Sequence, residues 1–96
     1  MALRVGTKIW LPCEVKPGPF SDERLVLVSD GGREWMGFVP ENRLKEPITE
    51  GRTSVLASVV SVLGEKFQAL LPGSALMSTL FEGLVSRVQP VDPLEA

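Results

Sequence analysis

Apolar and polar residues alternate along much of this chain, and the alternation predicts β-strands. Within residues 7–15, one face carries the apolar side chains Ile9, Leu11, Cys13 and Val15. The opposite face carries Lys8, Trp10 and Glu14. This period of two is typical of a half-buried strand. Pro12 has no N–H to donate to a neighbouring strand, so we expect an edge strand or a bulge at this position.

The rest of the chain continues in the same way. Further strands are predicted over residues 24–29, 33–39, 54–63, 66–71 and 80–88. Hairpin turns are expected at Asp30-Gly31-Gly32 and at Gly64-Glu65, because glycine adopts the positive φ that such turns require. Residues 40–44 predict a tight turn or a short 3₁₀ segment. Residues 73–81 are the one stretch that favours a short helix, with Ser74 as its cap.

Residues 54–63 are apolar on both faces, which has two explanations. The segment is either a central strand of the sheet or a strand that a partner chain buries, as in a homodimer. The β-branched residues Val55, Val59, Val60 and Val62 argue against a helix here. Both explanations stay open at the level of sequence.

An internal similarity is visible at an offset of 32 residues. The identical pairs are Val28 and Val60, Ser29 and Ser61, Gly32 and Gly64, Pro40 and Pro72, and Leu44 and Leu76. They favour a duplicated strand-hairpin-strand unit and a barrel with a pseudo-twofold axis. The alternative is that any two hairpins ending at a proline turn align this well.

Length and composition are consistent with a single folded domain. The 96 residues are 44% hydrophobic and 23% charged, which are ordinary values for a globular protein. We therefore predict an all-β fold with at most one short helix. It forms one small β-barrel domain over residues 4–90, followed by a flexible tail over residues 91–96.

One segment resembles the end of a Src-homology-3 domain. Residues 35–44 read Trp-Met-Gly-Phe-Val-Pro-Glu-Asn-Arg-Leu, and that family has a glycine, an aromatic or aliphatic residue, Val or Ile, Pro, any residue, Asn and Tyr in the same order. The resemblance implies a small barrel similar to that family's, with Pro40 and Asn42 in its ligand groove. Arg43 stands where the family has tyrosine, so the resemblance implies the fold more than it implies binding of proline-rich peptides.

Little in the chain suggests catalysis. It has no histidine and a single cysteine, and Cys13 falls on the inward face of its strand, as a small core residue does. We therefore expect no enzyme activity, no cofactor and no metal site. The absence of an apolar leader and of a long apolar run predicts a cytoplasmic protein that has no contact with a membrane.

Aromatic residues at polar positions are the main indication of function. Trp10, Phe20 and Trp35, together with Pro40 and Asn42, predict a patch that contacts a protein or peptide partner. We thus expect a non-enzymatic binding or assembly module that also forms a homodimer through residues 54–63. The alternative is that Trp10 faces a second layer of the barrel and that Phe20 folds back over the core. Trp35 alternates with Arg33 and Gly37 and is equally ambiguous.

Nucleic acid is the second class of partner considered. A barrel of this kind can stack bases on Trp10 and Trp35 beside a basic groove. The four cations that could form the groove are Lys8, Arg24, Arg33 and Arg43. Residues 1–45 carry seven Lys and Arg against six Asp and Glu, and residues 46–96 carry three against six. With no basic block in either half, nucleic acid is the less favoured partner.

Overall fold

The computed structural model of the chain describes residues 3–29, 34–75 and 80–90. These residues form the strands β1 (Lys8–Pro17), β2 (Glu23–Ser29), β3 (Glu34–Pro40), β4 (Arg52–Leu63), β5 (Lys66–Leu70), β6 (Ser74–Ala75), β7 (Leu80–Leu84) and β8 (Gln89–Pro90). Two 3₁₀ turns complete the described part, η1 (Glu41–Arg43) and η2 (Val85–Arg87). The all-β prediction is confirmed, because 63% of the described residues lie in strands and no longer helix is present among them.

The strands form one antiparallel sheet that curls into a small barrel. Their order is β6-β3-β2-β1-β4-β5-β7, and β8 pairs with β1. Six of the described strands have five residues or more, and β3 and β7, at the two ends of this row, approach each other so that the barrel is nearly closed. This architecture is compatible with the small SH3-like barrel that residues 35–44 imply.

The alternation read from the sequence decides which side chains form the core. In β1 the predicted inward residues Ile9, Leu11, Cys13 and Val15 are all buried. The largest fully buried side chains of the described residues are Trp35, Phe67, Ile9, Leu11, Val26, Val28, Val39, Val55 and Val59. They come from both halves of the chain, so the described residues share one core.

The strand that is apolar on both faces is central in the sheet. β4 pairs with β1 along one edge and with β5 along the other. Val55, Ala57 and Val59 point into the core, and a bulge between Val59 and Ser61 shifts the register toward β5. The first explanation of residues 54–63, a central strand, is therefore confirmed.

The two halves of the barrel have the same topology. Each is a three-strand meander, β1-β2-β3 or β4-β5-β7, that ends in a 3₁₀ turn, and the two meet where β1 pairs with β4. An offset of 44 residues carries η1 onto η2. The same offset relates two backbone hydrogen bonds, because it separates both donors and both acceptors. The Val15 N–H donates to the Gly51 carbonyl, and the Val59 N–H donates to the Thr7 carbonyl. The offset of 32 residues instead places β2 on β4, so it does not match this topological repeat.

The prediction of a helix is wrong, and two further local predictions fall outside the described residues. The helix expected over residues 73–81 is contradicted, because β6 begins at Ser74 and β7 begins at Leu80. Ser74 and Ala75 pair with β3 as a short strand, which uses backbone groups that a helix would need. The hairpin turn at 30–32 and the tail over 91–96 lie outside the described residues.

Candidate functional site

The one cysteine of the chain lies in the core. Cys13 is buried on β1, and burial raises the pKa of its thiol to about 12, although a hydrogen bond involving the Thr53 backbone lowers it in part. A thiol with this pKa is protonated at neutral pH and is a poor nucleophile. Across the described residues there is no group of three or more carboxylate and thiol side chains placed to hold a metal ion. No described helix has the length and apolar character that crossing a membrane requires.

The structure places Trp35 in the core, so its prediction as a surface anchor is wrong. Trp35 is only 1% exposed and lies opposite Val28 in the pairing of β2 with β3. The inward face of β3 consists of Trp35, Gly37 and Val39. The indole of Trp35 therefore lies inside the barrel as part of the core.

Trp10 lies on the outer surface, where other parts of the chain partly cover it. It stands opposite Leu56 on β4, and the Lys45 ammonium lies 5.6 Å from the centre of its ring, in the range of a cation–π contact. The backbone of Lys45 is held in place, since its N–H donates to the Ser54 carbonyl and its carbonyl accepts from the Thr53 hydroxyl. Trp10 therefore packs against the outside of the sheet and does not project freely from it.

The other three predicted site residues come together at one end of the barrel. Phe20 is 65% exposed in the turn between β1 and β2. The Glu41 N–H donates to the Asp22 carbonyl over 2.8 Å, which ties this turn to the start of η1. Pro40 ends β3 directly opposite the first residue of β2, and Asn42 is exposed in η1. Strand pairing thus brings the turn that contains Phe20 close to the turn that contains Pro40 and Asn42.

A surface cleft of about 340 Å³ lies between these turns. It is lined by Asp22, Pro40, Glu41, Asn42 and Glu46, and is called the acidic cleft below. It has three carboxylates, of which one is partly neutralised, because Arg24 forms a 3.4 Å ion pair with Glu41. The cleft therefore offers the carboxylates of Asp22 and Glu46, which form no ion pair with the described cations, next to the rigid apolar wall of Pro40, and this suits a cationic and partly apolar segment.

The sequence predicts Pro40 and Asn42 as candidate site residues but not the carboxylates that line the same cleft. Asp22 reads as part of a solvated loop, and Glu46 lies in a linker with no periodic pattern. The two are 24 positions apart in the chain and meet only because the tertiary fold stacks the two loops. The sequence contained one weak signal for this cleft, namely an acidic residue on each side of the proline turn.

The described cations do not form one groove. Lys8 begins β1, whereas Arg24 on β2 pairs with the last residue of β1, about 30 Å away for a ten-residue strand. Arg24 and Arg43 lie beside the carboxylates of the acidic cleft, and Arg24 is paired with Glu41. Arg33 lies outside the described residues. This placement argues against a continuous basic surface for nucleic acid.

Comparison with known proteins adds no relative. The chain matches no protein-family model, no curated protein sequence and no solved structure.

Proposed function

We propose that this protein is a non-enzymatic binding module that holds a segment of a protein or peptide partner in the acidic cleft. The observation that carries the proposal is the cleft itself. It joins the proline turn of Pro40 and Asn42 to three carboxylates, one of which, Asp22, belongs to the same turn as the exposed Phe20. Exposed aromatic residues next to a preformed cleft are typical of binding surfaces.

The charge of the cleft defines the partner. Asp22 and Glu46 have no ion-pair partner among the cations that the structure describes, whereas Glu41 is paired with Arg24. A partner segment that carries Lys or Arg would supply the missing positive charge, and an apolar or proline residue beside it would pack on Pro40 and Phe20. The similarity of residues 35–44 to Src-homology-3 domains supports the use of this turn for binding, with a ligand selected mainly by charge.

The test is an NMR titration of the ¹⁵N-labelled full chain. The probe is a synthetic decapeptide that alternates arginine with leucine and proline, and the comparison peptide has glutamate in place of each arginine. We expect amide shifts to move in the turns around Phe20 and Asn42 with the arginine peptide alone. Shifts confined to other strands, or equal binding of both peptides, would contradict the proposal.

Substitutions in the cleft test the charge argument. Each of Asp22→Asn and Glu46→Gln is expected to weaken binding by about two- to fivefold, since an exposed ion pair contributes up to about 1 kcal/mol. The matched control is Glu50→Gln, because Glu50 is exposed but does not line the cleft. An equal loss in the control would mean that net charge, and not this cleft, determines the affinity.

The same titration includes a single-stranded oligonucleotide. Because the described cations are spread over the barrel, we expect no saturable shifts with this probe. Saturable binding that falls steeply with salt would favour the nucleic-acid alternative over the peptide partner.

A further inference from the structure

Arg24 joins the two turns that form the acidic cleft. One nitrogen of its guanidinium, Nη1, donates to the Ser21 carbonyl and to the Glu23 carbonyl, each over 3.2 Å. The other, Nη2, lies 3.4 Å from the Oε2 atom of Glu41. Ser21 and Glu23 are the neighbours of Asp22 in the chain, whereas Glu41 begins η1. One side chain therefore bridges the two walls of the cleft.

A second link between the same two turns lies next to this bridge. The Glu41 N–H donates to the Asp22 carbonyl over 2.8 Å. The planar guanidinium of Arg24 has donors at fixed angles, so it holds a carbonyl on one side and a carboxylate on the other, which a compact lysine ammonium does not do. Only 29% of the Arg24 side chain is exposed, so water competes little for these contacts. The two links fix both the backbone and the side chain of Glu41 to the turn before β2.

Close packing inside the turn between β1 and β2 extends this fixation to Asp22 and Phe20. The Glu23 N–H donates to the Phe20 carbonyl over 3.3 Å. A Cβ added at Gly18 would lie 2.7 Å from the Glu23 carbonyl oxygen, so the two ends of the turn are in contact. A shift of Glu23 relative to η1 would therefore move Asp22 and Phe20 as well.

We infer that Arg24 is a positioning residue of the acidic cleft, which fixes the turn of Phe20 and Asp22 to η1 and so holds the cleft in shape before a partner binds. The inference rests on the proposed function of the cleft. A preformed site binds more tightly, because less conformational freedom is lost on binding. The alternative is that Arg24 only neutralises Glu41. The two roles predict opposite changes in affinity when the guanidinium is removed.

Titration with the arginine decapeptide distinguishes the two roles. Arg24→Gln removes a positive charge beside the cleft, so electrostatics alone would strengthen the binding of a cationic peptide. We expect the loss of positioning to outweigh this effect and to weaken binding about fivefold. Arg24→Lys keeps the charge but not the planar guanidinium, and should weaken binding by a similar factor. The titration follows signals of the folded protein, so a loss of global stability by itself does not change the affinity.

Arg43→Gln is the matched control. Arg43 also belongs to η1, but it is exposed and forms no ion pair within the described part of the chain. Its loss removes the same charge without breaking the bridge, so this variant should bind the decapeptide as the unmodified chain does, or up to about twofold more tightly. Unchanged or tighter binding by Arg24→Gln would overturn the inference, as would an equal loss in both variants.

Hydrogen exchange of the Glu41 amide tests the bridge without any peptide. In the free protein we expect this amide to exchange at least about tenfold faster in Arg24→Gln and Arg24→Lys, because its bond to Asp22 then opens more often. The rate should not change in Arg43→Gln. Unchanged exchange in Arg24→Gln would overturn the inference whatever the peptide does. Faster exchange in Arg24→Gln, combined with no peptide binding by the unmodified chain, would contradict the proposed function and support Arg24 as the residue that fixes the cleft.

Discussion

The thiol of Cys13 lies inside the barrel, away from the water that would stabilise a thiolate. Its raised pKa of about 12 has desolvation as the main cause. Desolvation therefore makes Cys13 unreactive. The residue fills the core between β1 and the opposite side of the barrel.

We expect alkylation to show this protection directly. At pH 8 iodoacetamide should modify native Cys13 about 1000-fold more slowly than the unfolded chain, because about three pKa units separate the two thiols. Mass spectrometry after timed labelling measures both rates. Similar rates in native buffer and in denaturant would mean that Cys13 is accessible in the folded protein.

The same shift in pKa predicts how stability depends on alkaline pH. Below pH 9.0 both states keep the thiol protonated, so Cys13 adds no pH dependence. Between pH 9.0 and about 12 the unfolded chain ionises and the folded chain does not, so stability falls by up to about 1.4 kcal/mol per pH unit. Urea denaturation at several pH values measures this slope. Cys13→Ala should lack this contribution, and identical slopes for both proteins would contradict it.

Gly73 leaves no room for the side chain of an alanine. Its φ is +92°, and an added Cβ would lie 1.9 Å from the Phe38 carbonyl oxygen. We expect Gly73→Ala to lower the free energy of unfolding by about 3 kcal/mol or more. Gly64→Ala is the matched control, because Gly64 also has positive φ but an open surrounding, and should cost about 1 kcal/mol. Equal losses in chemical denaturation would argue against close packing at Gly73.

At the scale of the element, β1 shows how a strand with a proline can be central. Val15 points its N–H toward β4, so the alternate residues Leu11 and Cys13 face the same way and Pro12 faces the other side. On that side β2 pairs only from Glu14 onward, and β8 pairs only with residues before Leu11. Pro12 therefore lies in the gap between β2 and β8, where no N–H is needed. The expectation of an edge strand was wrong because a strand has two edges with different partners. Pro12 needs a gap along only one of these edges, and β1 pairs with β4 along the other.

Substitution in β1 should separate the two edges. Pro12→Ala is expected to change the free energy of unfolding by less than about 1 kcal/mol, since the residue is exposed and faces the gap. Val15→Pro removes the 2.8 Å hydrogen bond to Gly51 and should cost about 3 kcal/mol more than Val15→Ala. Thermal and urea denaturation compare the three variants. A large loss for Pro12→Ala would show that the gap contributes to stability.

At the scale of the whole molecule, the two meanders depend on each other. The ladder between β1 and β4 pairs residues 8–14 with residues 52–58 and joins the halves. Trp35 from the first half and Phe67 from the second belong to the same core. A three-strand meander by itself would leave these apolar side chains in water, so neither half has an adequate core alone.

We therefore expect fragments 1–47 and 48–96 to be unfolded when studied separately. Each should give a far-ultraviolet circular dichroism spectrum without β-sheet and no cooperative thermal transition at micromolar concentration. The intact chain, measured alongside, should unfold in one transition. Cooperative unfolding of either fragment alone would contradict the shared core.

The sequence by itself determined the class of fold and the content of the core. Alternation with a period of two identifies the inward face of β1, because burial selects apolar residues at each second position. The two apolar faces of β4 left its central position as one of two explanations. The 3₁₀ turn after Pro40 was predictable from the local geometry of proline. The sequence also indicated Pro40 and Asn42 as site residues, through a local resemblance.

Only the tertiary structure decided whether an aromatic side chain with an ambiguous pattern faces the core or the outer surface. It also decided which loops lie next to each other. Trp35 lies on the inward face of β3, and Trp10 is covered by Lys45 from a linker 35 positions away. Likewise, Asp22 and Glu46 form one cleft only after the strands pair. These contacts join residues far apart in sequence, and periodicity reports only on neighbours along one strand, so a local pattern contains no information about them.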